Sequence, residues 1–225
     1  MRRFAIGLLL ALCALGGACK KGNSVAVADA GAAASSVKVT RVAGVGEQLV
    51  DLDKSKLVLS IVKDRDAANP VKANVMFRDG ALSLGAGTAR MSIDLTTFDS
   101  AIPVRNERVR NFFFEVSATG WDTAELTISK LPDAALAALR ARKPVLRAAV
   151  EGDLKLHGKT AHVPMSLDAG FDGGGELWVR SNTPVEVKIS EFGLTDNLRR
   201  LSAICMHDSI DDVVKVDVTL VFPGR

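Results

Sequence analysis

The sequence predicts an antiparallel all-β domain of about eight or nine strands with one or two short helices. Apolar residues recur at every second position through most of the chain beyond residue 38. Glycine- and aspartate-bearing turns separate those runs at distances that suit hairpins. A set of strands joined mostly by short turns must close on itself or form a sandwich to protect its edges.

Leu57, Leu59 and Ile61 make the first candidate strand. In the next, Val71, Ala73, Val75 and Phe77 alternate with Lys72, Asn74 and Arg78, and only Met76 breaks the polar side. Asp79-Gly80 and Gly85-Ala86-Gly87 supply turn chemistry. Beyond them Ala89, Met91, Ile93 and Leu95 alternate with Thr88, Arg90, Ser92 and Asp94. Leu126 and Ile128 mark a short strand. Leu146, Ala148, Val150, Leu154 and Leu156 alternate with Arg147, Glu151, Asp153, Lys155 and His157. After the His157-Gly158 turn, Val163, Met165, Leu167, Ala169 and Phe171 do the same. Asp172 to Gly175 and Ser181-Asn182 flank a strand at Leu177 to Val179. Val185, Val187 and Ile189 follow, and the last strand carries Val214, Val216, Val218, Leu220 and Phe222. Each run has one apolar and one wet face, as antiparallel sheets do.

Two stretches depart from this period. Asp133 to Arg142 is rich in Ala, Leu and Arg behind Pro132, which predicts a short helix. Val104 to Asn111 carries Arg105, Arg108 and Arg110 ahead of Phe112-Phe113-Phe114 and reads as a helical turn. Three adjacent aromatics cannot all face inward on a strand, so they form either a lid at one end or part of a packed core.

The N-terminal segment has a different character. Arg2 and Arg3 precede an uncharged apolar run from Phe4 to Leu15, then Gly16, Gly17 and Ala18. This is the layout of an export signal, and the run is too short for a spanning helix, which needs about 20 residues. Cys19 directly after the small residues resembles the lipobox of bacterial lipoproteins, in which that cysteine is acylated. Lys20, with no aspartate after the cysteine, implies the outer membrane by the same resemblance. The expected division is a signal peptide over 1–18, a lipidated N-terminus and flexible Ala/Ser/Gly tether over 19–37, and a barrel domain over 38–225. The expected location is the bacterial cell envelope, lipid-anchored and facing the periplasm; the alternative is a soluble periplasmic or secreted protein.

Composition excludes several classes. Two arginines leave with the leader, so 29 basic side chains become 27 against 26 acidic ones, a net charge of about +1. There is no basic stripe with interleaved aromatics, so nucleic acid is not an expected partner. Of three cysteines, Cys13 leaves with the leader and Cys19 is the acylation candidate, so Cys205 stands alone. Cys205, His207, His157 and His162 are the soft-ligand candidates. Cys205 and His207, placed two apart, would share a strand face, and His157 and His162 flank one hairpin turn. None has the spacing of a zinc site, and no metal or cofactor is expected. No phosphate loop, carboxylate pair or nucleophile triad stands out, so the chain is not expected to be an enzyme.

Three segments resemble the YceI-like family. Ser92-Ile93-Asp94 leads through an arginine-bearing loop to Phe112-Phe113. Glu151 to Thr160, followed by Val163-Pro164, is similar to the family's most specific hairpin. Ser190-Glu191-Phe192-Gly193-Leu194 resembles its serine-acid-phenylalanine-glycine-leucine segment. Val50-Asp51-Leu52-Asp53-Lys54-Ser55 weakly echoes its opening. The departures fall on polar positions: Arg108 stands where the family usually has histidine, Asn106 where it has aspartate, and Ile189 where it has arginine. The resemblance implies a single lipocalin-like barrel of about eight strands whose ligand is an isoprenoid lipid, either a polyisoprenoid or a prenyl quinone.

At that size a barrel interior is either just filled or holds one small ligand. The expected lining is Val75, Phe77, Met91, Ile93, Leu95, Phe112, Phe113, Leu146, Val150, Leu154, Leu156, Val163, Met165, Leu167, Val187, Ile189, Val216 and Val218. With nine Phe and no Tyr in the chain, such a lining suits an aliphatic chain and offers little polar readout. The competing readings are an envelope scaffold with a packed barrel that binds a protein partner, and a metal-assisted hydrolase around the histidines and Cys205.

Overall fold

A computed structural model describes residues 43–44, 46–118 and 120–224. The expected signal peptide, Cys19 and the tether lie outside the described residues. Within them the strands are β1 (Glu47–Leu49), β2 (Lys56–Ile61), β3 (Val71–Ser83), β4 (Thr88–Asp99), β5 (Thr123–Ile128), β6 (Val145–Leu156), β7 (Lys159–Phe171), β8 (Leu177–Ser181), β9 (Val185–Lys188) and β10 (Val213–Phe222). Eight of these close a ring in the order β3-β2-β10-β8-β7-β6-β5-β4, and β4 pairs back onto β3. All of the pairings are antiparallel. β1 continues the edge of β3 beyond β2, and β9 continues the edge of β10 beyond β8. The barrel is therefore closed, and no ring strand presents a bare edge.

Local chemistry explains the long hairpin at its centre. β6 and β7 turn at His157 and Gly158, with φ of 50° and 75°. Two successive positive φ angles define the turn whose twist matches the flanking strands, and glycine takes the second position without steric cost. The inward side chains of the ring form one contiguous apolar core running from Val50 to Phe222.

One buried carboxylate holds two irregularities of this barrel. The β6–β7 register slips between Val145 and Ala148, where Arg147 adopts a φ of 54°. The Arg147 amide donates to Asp168 Oδ1 at 2.8 Å. Asn182, at the break between β8 and β9, donates to Asp168 Oδ2 at 3.1 Å. The bulge also corrects an expectation. Leu146 is 71% exposed and points away from the interior, because the extra residue shifts the parity before Ala148 and hands the inward position to Val145.

The helices lie over the barrel ends. α1 (Pro103–Arg108) runs directly into a π-helical turn, Val109–Phe113, as the expected helical turn requires. Asn106 is buried here. Its Oδ1 accepts from the Ser100 amide and hydroxyl at 2.8 and 2.7 Å, and its Nδ2 donates to Asp99 Oδ1 at 2.7 Å. α2 (Asp133–Arg140) is the helix expected behind Pro132, and Arg140 ties it to the carbonyls of Leu84 and Gly85.

A third helix was not expected. Ile189–Phe192 form a 3-10 turn instead of continuing a strand, and α3 (Thr195–Cys205) follows. Cys205 ends that helix and Met206 after it is left-handed, so Cys205 and His207 do not share a strand face.

The Asp168 carboxyl is held below its ordinary value of 3.8, chiefly by the Arg147 amide and then by Asn182. A lowered folded-state value means that ionised Asp168 stabilises the native state at neutral pH. That contribution is lost as pH falls from the ordinary carboxylate value through the lower folded one. Asp168→Ala should therefore lower the urea midpoint at pH 7, and its gap from wild type should shrink in acid; a gap that stays constant with pH would contradict this role.

Candidate functional site

Two apolar chambers lie inside the barrel, of about 190 Å³ and 100 Å³. Their order can be followed along each strand. On β10, Val214 and Val216 border the larger chamber, Val218 borders both, and Leu220 and Phe222 border the smaller. On β7 the sequence is Val163, then Met165 shared, then Leu167 and Ala169. On β4 it runs the other way, from Met91 through Ile93 to Leu95 and Phe98. Leu57 of β2 and Leu126 of β5 complete the shared set. These five side chains form a girdle across the middle of the barrel, separating one chamber from the other.

β6 contributes no side chain at that level. Its inward position between Val150 and Leu154 is Gly152, where a Cβ would sit 2.9 Å from Leu126 Cδ1 and 3.1 Å from Met165 Cε. The missing side chain leaves the room that Leu126 and Met165 occupy. Met165 is unbranched and adaptable, the kind of side chain that can re-pack around an inserted chain.

The expected lining is distributed as follows. Val75, Leu95, Phe113, Leu154, Leu156, Val163, Val187, Ile189 and Val216 border the larger chamber, and Phe77, Met91, Val150 and Leu167 the smaller. Ile93, Met165 and Val218 border both. Leu146 and Phe112 border neither. Phe112 is 42% exposed because the π-helical turn directs Phe113 and Phe114 inward and rotates it out. Phe113 and Phe114 are 4.9 Å apart between ring centroids, and Phe114 also packs edge-on against Phe98 at 6.2 Å.

The larger chamber also takes residues outside the expected set. Leu198, Leu201 and Cys205 of α3 cover its end beside Val109, Phe113 and Phe114. Their spacing carries the signal of this helix: Leu194, Leu198, Leu201 and Cys205 recur at four, three and four residues. The smaller chamber is covered at its own end by Leu131, Ala135 and Leu139, the last two from α2.

Few polar groups reach the larger chamber among the described residues. Lys63, Arg105 and His207 join its lining. Asp64 accepts from His207 Nδ1 at 2.9 Å and from Lys63 at 3.3 Å. Partial burial works against ionisation of Asp64, but Lys63 and the amides of Asp208 and Ser209 outweigh it and hold the carboxyl below its ordinary value. Arg108 donates to Cys205 Sγ at 3.9 Å.

The other candidates are structural. His157 meets Glu115 at 3.0 Å and stacks on Trp121, fastening the β6–β7 turn to the segment behind the π-helical turn. His162 lies between Asp153 and Glu151, which raise its pKa, and does not approach His157. Ser190 donates to Asp212 at 2.6 Å. Among the described residues no group of three or more His, Cys, Asp or Glu is placed to hold a metal ion.

A closed eight-stranded barrel with an apolar, divided interior and short helices over its ends is the lipocalin-like architecture. Residues 49–222 match the YceI-like domain, and the chain belongs to that family. Among solved structures it is similar to a polyisoprenoid binding domain from Saccharophagus degradans implicated in plant cell wall breakdown. That match has 24% identity and a TM-score of 0.68, and covers 80% of this chain and 99% of the other. BcnA of Burkholderia cenocepacia is also similar, with 20% identity, a TM-score of 0.53, and coverage of 76% and 98%. At these identities the likeness establishes the fold alone. No curated protein matches the chain.

Proposed function

We propose that this protein is a non-enzymatic carrier that holds one apolar chain along the barrel axis, and that the chain is an isoprenoid lipid, either a polyisoprenoid or a prenyl quinone. The observation that carries this reading is the unbroken apolar lining, followed strand by strand from one chamber through the girdle into the next. Ligand pockets usually span roughly 300–1,000 Å³, so the two chambers must be joined and widened to take such a chain. Displacement of Met165 at the girdle supplies that opening. The isoprenoid assignment draws on the family and on the ligand class by which the Saccharophagus domain is described.

A second reading has its own observation. Ile102, Val104, Phe112 and Met206 are exposed, and the last three adjoin Arg105, Phe113 and His207 of the larger chamber's lining. An apolar rim of this kind also fits an envelope module that docks a protein partner on a packed barrel.

Leu156→Trp separates the two. In a carrier the ring enters existing space, costs little stability and abolishes the lipid recovered by organic extraction and mass spectrometry. In a packed scaffold it overpacks, costs roughly 1–3 kcal/mol, and no lipid is recovered from either protein; that pair of results would overturn the carrier reading.

We also propose that acylated Cys19 anchors the chain in the envelope, facing the periplasm at the outer membrane. Among the described residues no helix is long and apolar enough to cross a membrane. Cys19→Ser should move the protein from the membrane to the soluble fraction, and a wild-type protein already soluble would exclude the anchor.

A further inference from the structure

The polar rim of the larger chamber is unbalanced in charge. Lys63 and His207 both engage Asp64. Arg105 is half-buried and lines the same chamber, yet no carboxylate of the described residues lies within ion-pair distance of it. Arg108, one helical turn further on, is also half-buried and donates to the Cys205 sulfur. Neighbouring Glu107 is exposed. Other arginines find oxygen acceptors: Arg78 meets Asp94 and Asp122 at 3.1 and 3.0 Å and Arg199 meets Asp196 at 2.8 Å, while Arg110, Arg140 and Arg142 donate to backbone carbonyls.

A half-buried arginine lining an apolar chamber, with a second one reaching Cys205 of that lining, is unfavourable unless an acceptor meets the guanidiniums. A guanidinium presents a planar fork of donors that fits a carboxylate or phosphate through two parallel hydrogen bonds. Resting on the reading that an apolar chain occupies the barrel, we propose that Arg105 and Arg108 receive an anionic headgroup, a carboxylate or phosphate, of an amphiphile whose chain fills the larger chamber. Phe113 and Val109, on the same helical segment as the two arginines, contact the chain, so one element reads both ends of the junction between headgroup and tail. The ligand enters tail first and stops with its charge at the rim.

The test is calorimetric titration of the full chain with decanoate, decyl phosphate and decanol, each below its micellar concentration. At least one anion should bind at least tenfold more tightly than the alcohol, and the stronger of the two identifies the headgroup. Added salt should narrow that margin. Arg105→Gln should cut it by about tenfold, and Arg105→Lys should restore part of it. Arg199→Gln, on the outer face of α3, should leave it intact. If Arg105→Gln does not fold, Arg108→Gln is read instead. Decanol binding as tightly as both anions, or a margin that survives both glutamine variants, would overturn the headgroup site while leaving the apolar-chain reading in place. Failure of all three probes to bind would overturn both.

Discussion

The return of β4 onto β3 is the constraint on which everything else in this barrel depends. It turns a twisted sheet into a ring, so each strand must send one register inward and the other to water. Slipping any strand by one residue would exchange the two faces entirely. An eight-stranded ring is narrow enough for its inward side chains to meet across the middle. Leu57, Ile93, Leu126, Met165 and Val218 stand at that level and border both chambers. Space survives only above and below that level, and a glycine on β6 keeps the level itself from being overfilled.

The same closure leaves two open ends, and the chain covers them differently. α2 brings Ala135 and Leu139 over the smaller chamber, an apolar cover with few alternatives to its packing. The larger chamber is covered by α1, the π-helical turn and α3, three short pieces meeting near an ionic cluster at Lys63, Asp64 and His207. Short helices joined through such contacts are easier to part than a strand ladder, because less backbone hydrogen bonding is lost. Passage into the barrel is therefore expected at the end where α3 and the Lys63–Asp64–His207 cluster stand.

Strand parity made most of this architecture legible from sequence. Alternation placed Met91, Leu95, Leu156, Met165 and Val216 on the correct side, because in a half-wet sheet the apolar register has only one stable direction. Leu146 is misplaced by alternation, since the bulge at Arg147 is held by Asp168, a partner 21 residues away that periodicity does not reveal. The aromatic triplet shows a different limit: whether Phe112 or Phe114 turns inward depends on a π-helical turn whose hydrogen-bond register leaves no pattern in residue type. The α3 helix did leave one, in the spacing of Leu194, Leu198, Leu201 and Cys205, but its polar faces masked it among strands. The charged lining was beyond reach altogether, because Lys63, Arg105 and His207, far apart in sequence, border one chamber only once the barrel closes.

The account's central claim is that the divided interior opens to hold a single chain. The measurement that tests it most directly is the electron density inside the barrel for protein isolated from its native source without detergent. The account predicts one continuous, elongated feature that crosses the girdle, with Met165 displaced to admit it and its polar end at the rim beside Arg105. A barrel with the girdle closed, both chambers empty and Met165 still packed on Leu126 would contradict it.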